Sequence, residues 1–174
     1  RAIRAAGLTA TDCGALPTPA LALAAMARGE AAVMVTGSHI PADRNGLKFY
    51  RPEGEISKAD EAAILAALDG PAPAGEGGLR QDPQAGARYA ARYVSAFGPG
   101  ALAGLRIGVY QHSTVARDLL AEVLAALGAE VVPLARSETF IPVDTEAVEP
   151  ELRDALPRWT AQHRLDAVLS ADGD

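Results

Sequence analysis

Cysteine occurs once, at Cys13, which excludes an intrachain disulfide. A lone thiol fits a reducing compartment, and the cytoplasm is the expected location. An excess of positive charge is also missing. The formal net charge is −6, which excludes the basic footprint that nucleic-acid binding needs. Long hydrophobic runs are absent too: the longest, Ala20 to Ala27, falls far short of the ~20 residues of a membrane helix. No apolar core of a signal peptide follows Arg1-Ala2-Ile3-Arg4. The chain is therefore expected to meet neither nucleic acid nor membrane. Lysine is scarce as well. Of 16 basic residues only Lys48 and Lys58 are lysines, so this chain places Arg wherever positive charge alone is wanted. Arginine cannot release its proton in a protein, whereas lysine can, which makes each lysine worth locating.

What is present is apolar material for a core, 49% of 174 residues, enough for one or two domains. The run Ala31 to Val35 reads as a buried strand. It breaks at Gly37 into a polar loop, and Asn45-Gly46 marks a tight turn before Leu47-Lys48-Phe49-Tyr50 extends again. Ser38 and His39 thus fall just past the carboxyl end of a strand, where open α/β sheets place their ligand sites. Lys48 returns toward them from the far side of the turn. A hydroxyl, an imidazole and a proton-exchanging cation share one loop. A Ser-His hydrolase pair is poorly supported, because adjacent side chains point apart and no Gly-x-Ser-x-Gly elbow is present. For a bare Ser-His, an ordinary surface turn is the stronger reading.

Along the chain, Arg1 to Ala6 reads as the end of a helix with Gly7 at its cap, and Leu8 to Thr11 as a short strand. Thr18 and Pro19 suit the N-cap and first position of a helix running through Met26. Arg51 to Glu55 reads as a turn. Ser57-Lys58-Ala59-Asp60 is a capping box opening a helix to Leu68, with Ala62, Ile64, Leu65 and Leu68 on one face and Lys58 a solvated charge. Gly70 to Gly78 is the clearest linker-like stretch. A helix from Asp82 to Phe97 carries Tyr89, Tyr93, Val94 and Phe97 as a packing stripe, and Gly98-Pro99-Gly100 ends it. Beyond it, strands (Leu105 to Tyr110, Glu130 to Leu134, Leu165 to Ser170) alternate with helices (Thr114 to Leu127, Glu149 to His163), the pattern of a parallel sheet. Within Gln111-His112-Ser113-Thr114, Ser113 or Thr114 is expected to cap the helix.

Asp172-Gly173-Asp174 follows the last of these strands, again at the ligand edge. Two carboxylates flanking a glycine can suit a hard divalent cation, but taken by themselves an ordinary acidic turn is the stronger reading. Asp172 as the aspartyl nucleophile of a dehalogenase-type phosphatase is disfavoured, since such enzymes carry that residue after an early strand.

Thr36-Gly37-Ser38-His39-x-Pro41, followed by Asn45-Gly46-x-Lys48, resembles the phosphoserine loop of the α-D-phosphohexomutases, the phosphomannomutase/phosphoglucomutase family. Ile40 stands where that family usually has Asn, and Pro17-Thr18-Pro19 is similar to a segment preceding the same helix in the family. The resemblance implies two three-layer α/β/α domains with mainly parallel sheets, truncated at both ends: residues 1–98 as a partial first domain and 99–174 as a partial second. It implies that Ser38 carries the phosphoryl group and that Mg²⁺ is held by Ser38, Asp172 and Asp174, the two aspartates matching the start of an Asp-Gly-Asp-x-Asp-Arg loop. Lys48 would move the proton of the sugar hydroxyl, and His39 would help hold substrate or phosphate. The implied partners are a hexose phosphate and a hexose bisphosphate. The implied reaction interconverts hexose 1- and 6-phosphates, with mannose favoured over glucose or glucosamine, and the piece alone is expected to be inactive. A non-catalytic phosphosugar- or Mg²⁺-binding remnant is the alternative.

Overall fold

The computed structural model describes the chain apart from Ser38, His39, Pro41, Ala42, Ala72, Asp144, Glu146 and Asp174. Its elements run α1 (Ala2–Ala5), β1 (Ala10–Asp12), α2 (Thr18–Met26), β2 (Ala32–Thr36), β3 (Gly46–Arg51), β4 (Gly54–Glu55), α3 (Lys58–Ala66), β5 (Leu79–Gln81), α4 (Ala85–Phe97), β6 (Arg106–Tyr110), α5 (Arg117–Ala126), β7 (Glu130–Leu134), α6 (Pro150–His163) and β8 (Ala167–Ser170). Three sheets form: a parallel pair β1-β5, an antiparallel β2-β3-β4 and a parallel β7-β6-β8. The fold is mixed α/β with mostly parallel sheets, as the alternation requires. Among the described residues, no helix is long and apolar enough to cross a membrane.

The core lies around β6. This strand is central, hydrogen-bonded on both edges, its consecutive residues Ile107, Gly108 and Val109 are all buried, and Ile107, Val109 and Leu124 of α5 pack together there. Leu120, Val131 and Leu169 close around them. Gly108 is small for a reason: a Cβ there would sit 2.6 Å from Leu134 Cδ1 and 2.7 Å from Leu165 Cδ1. Two flanking leucines lean over the strand where the side chain is absent.

The amino-terminal half is thinner. The strand expected to be buried at Ala31 to Val35 forms as β2, but Val33 is 37% and Val35 61% exposed. On the facing strand Leu47 is 58% exposed. The apolar face of α3 is likewise open, with no buried residue in the helix. Periodicity located these elements correctly and could not tell that their faces lack cover.

Other boundaries differ from expectation for identifiable reasons. Pro17, not Thr18, is the N-cap of α2, with extended backbone, and Pro19 falls one position deeper. Neither Ser113 nor Thr114 caps α5. Ala116 does, while Thr114 Oγ1 accepts from the Ala116 N–H at 3.1 Å and tightens the approach. α4 begins at Ala85, with Gln84 as its N-cap, and Asp82, three residues earlier, pairs with Arg28 and Arg88. In its aromatic stripe, Tyr89 and Tyr93 make an edge-to-face pair at 5.1 Å, but Phe97 is 66% exposed. The expected turn after β3 contains β4. The glycine-rich stretch is no free linker. The Gly75 N–H donates to Ala5 O and the Gly77 N–H to Arg4 O, both at 2.8 Å. A Cβ on Gly75 would come within 2.7 Å of Gly7 Cα, and one on Gly77 would collide with Leu8 O, so these glycines permit backbone-on-backbone packing. The segment leads directly into β5, which pairs with β1.

Candidate functional site

Two loops at strand ends, and strand β3 beside the first of them, hold the candidate residues. The first follows β2. Thr36, the last residue of β2, is buried and pairs with Gly46, the first of β3. The Ile40 N–H donates to Gly37 O at 2.8 Å. Ser38 and His39, which fall between those two in sequence, lie outside the described residues.

Lys48 is described, half-buried on β3 opposite Met34. It sits two residues beyond the Thr36–Gly46 pair, about 7 Å along the strand. A cavity of about 250 Å³ beside it is lined by Phe49, Glu55, Ser57 and Glu61. Below that cavity α3 is anchored by its capping box: Asp60 N–H donates to Ser57 Oγ at 3.2 Å, and Ser57 N–H donates to Asp60 Oδ2 at 2.9 Å. The Ser57 hydroxyl, donating to Asp60 Oδ2 at 2.7 Å, and then the Ser57 N–H, with help from Arg51, hold the Asp60 carboxyl below its ordinary range. Lys58 is a surface charge as expected, pairing with Glu61 at 2.7 Å.

The second loop follows β8. Asp172 is half-buried one residue past Ala171, and Asp174 lies outside the described residues. Lys48 and Asp172 stand on separate sheets, β2-β3-β4 and β7-β6-β8. As to a metal, an oxygen-donor carboxylate such as Asp172 suits a hard cation. Among the described residues no cluster of three His, Cys, Asp or Glu side chains assembles around it.

The structure adds a residue to this second loop, one that the sequence offered beside Ser113 and that was set aside in favour of a helix cap at Ser113 or Thr114. His112, immediately after Gln111 at the end of β6, is fully buried. Its Nε2 lies 2.7 Å from Ala171 O. Its ring packs 4.9 Å from Tyr110, which in turn packs 5.4 Å from Trp159. Burial pushes the imidazole below its ordinary range, opposed by the bond to Ala171 and the nearby Asp172 carboxylate. Its backbone is held as firmly: His112 O accepts from Arg117 Nη1 at 3.0 Å and from the Ser137 N–H at 3.1 Å. Ser113 Oγ donates to Ile141 O at 3.1 Å and accepts from the Ile141 N–H at 2.8 Å. A histidine directly after the central strand was the available sequence signal. Its partner, 59 residues away, was not visible.

Comparison with known proteins bears on both loops. Residues 1–72 match the family described as phosphoglucomutase/phosphomannomutase, alpha/beta/alpha domain I. A phosphomannomutase of Sinorhizobium fredii is 49% identical over 99% of this chain and 38% of its own length. A phosphomannomutase of Salmonella muenchen is 45% identical over 99% of the chain and 36% of its own. A phosphoglucosamine mutase of Symbiobacterium thermophilum is 34% identical over 99% and 40%. The crystal structure of a phosphoglucomutase/phosphomannomutase family protein from Burkholderia thailandensis superposes with a TM-score of 0.79 at 27% identity, covering 99% of this chain and 40% of that one. The chain therefore spans well under half the length of the relatives it matches.

Proposed function

We propose that this chain, which belongs to the phosphoglucomutase/phosphomannomutase family, supplies the phosphoryl-carrying and metal-binding loops of a phosphohexomutase acting on mannose phosphates. The observation that carries the choice of sugar is the identity gap: 49% and 45% to two phosphomannomutases against 34% to a phosphoglucosamine mutase. Residues 1–98 form one domain in this reading and 99–174 a second, within a cytoplasmic protein.

In the proposed reaction, phosphorylated Ser38 meets a hexose monophosphate. The Ser38 Oγ–phosphorus bond breaks as a bond forms to the free sugar hydroxyl. The hydroxyl proton passes to Lys48, and a proton returns to the serine oxygen. The product is a hexose bisphosphate, which turns over in the site and returns its other phosphoryl group to Ser38. His39 holds the phosphate or sugar. Ser38, Asp172 and Asp174 would hold Mg²⁺, which neutralises phosphoryl charge when bound. Because such transfer depends mainly on positioning and charge, loops at strand ends are suited to it.

Intact-mass spectrometry with phosphosite mapping tests this on the intact protein and on Ser38→Ala. A phosphate on Ser38, exchangeable with added sugar bisphosphate, is expected, together with loss of mannose 1-phosphate turnover in the variant. An unmodified Ser38 that takes up no phosphate from a sugar bisphosphate in Mg²⁺ would overturn the reading in favour of a non-catalytic binding remnant.

A further inference from the structure

A carbonyl oxygen can only accept a hydrogen bond, so the 2.7 Å contact with Ala171 O places the proton on His112 Nε2. Nδ1 is then a bare acceptor, buried and without a hydrogen-bond partner among the described residues. A buried polar ring with one unsatisfied nitrogen is unfavourable as mere filling. The surroundings hold this ring in one place: Tyr110 packs on it, and Arg117 and Ser137 fix its main chain. What the ring grips is the peptide unit joining Ala171 to Asp172. That unit is planar, so the direction of Ala171 C=O also sets the direction of Asp172 N–H and the starting point of the Asp172 backbone.

We infer that His112 is a positioning residue, whose Nε2–H···O=C bond to Ala171 orients Asp172 for the metal. This rests on the reading of Asp172 as a metal ligand. The arm runs from the carboxyl end of β6 to that of β8, bracing one loop from the most buried strand of the sheet. Partners that orient metal ligands in this way typically govern affinity by ~10–100-fold.

The test uses the intact protein, Mn²⁺ as the probe, and titration followed by electron paramagnetic resonance. His112→Leu, which removes the donor, is expected to weaken Mn²⁺ binding by about 10–100-fold. His112→Gln, whose amide N–H can reach the same carbonyl, is expected to hold affinity within about threefold of wild type. Should the leucine variant fail to fold, His112→Asn is read instead, since its shorter amide stays polar and falls short of Ala171 O. Independently of any metal, the long-range ¹H–¹⁵N spectrum of wild type should show His112 protonated on Nε2, and an Nδ1–H tautomer would overturn the inference. Equal Mn²⁺ affinity in wild type and His112→Leu also overturns it, leaving the metal role of Asp172 standing. Absence of Mn²⁺ binding in wild type sinks the metal role of Asp172, and the inference about His112 with it.

Discussion

The two halves of the molecule offer candidate residues in the same manner, at the carboxyl end of a strand, but support them differently. Asp172 follows an outer strand of the β7-β6-β8 sheet, whose central strand buries Ile107, Gly108 and Val109 on both faces. The loop after β2 rests on an antiparallel hairpin with Val35 and Leu47 open, flanked by a helix with nothing buried. One loop is braced through a buried histidine. Among the described residues of the other, Thr36 pairs with Gly46 and the Ile40 N–H donates to Gly37 O. Equivalent placement along a strand thus does not imply equivalent support, because support comes from what covers the strand.

This contrast can be broken by mutation. The largest effect is expected at Leu124, which joins Ile107 and Val109 in the core: Leu124→Ala should lower unfolding free energy by about 2–5 kcal/mol in urea titration. A loss below about 1 kcal/mol would mean the β6 core is no firmer than the hairpin.

An intermediate effect is expected at Asp82, which pairs with Arg28, two residues past α2, and with Arg88 of α4. The hydrogen bond from Arg88, with Arg28 adding to it, holds its carboxyl below the ordinary 3.8. The unfolded chain therefore takes up this proton at higher pH than the folded one. The stabilisation is fully present above the ordinary value and is lost as pH falls through the lowered one. Asp82→Asn should flatten that part of the acid limb in thermal melts across pH 2–6, and an unchanged limb would show the ion pairs to be inert.

The smallest effect is expected at Leu65, 60% exposed on α3. Leu65→Ala should change stability by no more than about 0.5 kcal/mol, since both residues favour helix and little surface is uncovered. A loss as large as that at Leu124 would show that the open face of α3 is covered in solution.

Much of the architecture was legible from local pattern. The period-3.6 segments became α4, α5 and α6, the apolar runs became β2, β6 and β7, and the Ser57–Asp60 capping box formed as spelled. β4 and β5 were hidden, since Gly54-Glu55 falls within an expected turn and Leu79–Gln81 has two polar residues of three and directly follows the glycine-rich stretch. The glycines of 70–78 looked like a linker because glycine signals freedom and close packing alike, and only the partner backbone of Arg4 to Leu8 tells them apart. Of the candidate residues, Ser38, His39, Lys48, Asp172 and Asp174 were named from motif and position. His112 was seen beside Ser113 but set aside for a helix cap, because its importance comes from a carbonyl 59 residues away.

The amino-acid sequence alone determined the types of the longer elements, the placement of polar loops at strand ends and the chemical character of those loops, since these depend on neighbours within a few residues. Tertiary structure alone decided which strand became the core, which apolar faces stayed open, and that a histidine after β6 grips the peptide before Asp172. Those outcomes depend on contacts between distant segments, and no local pattern encodes them.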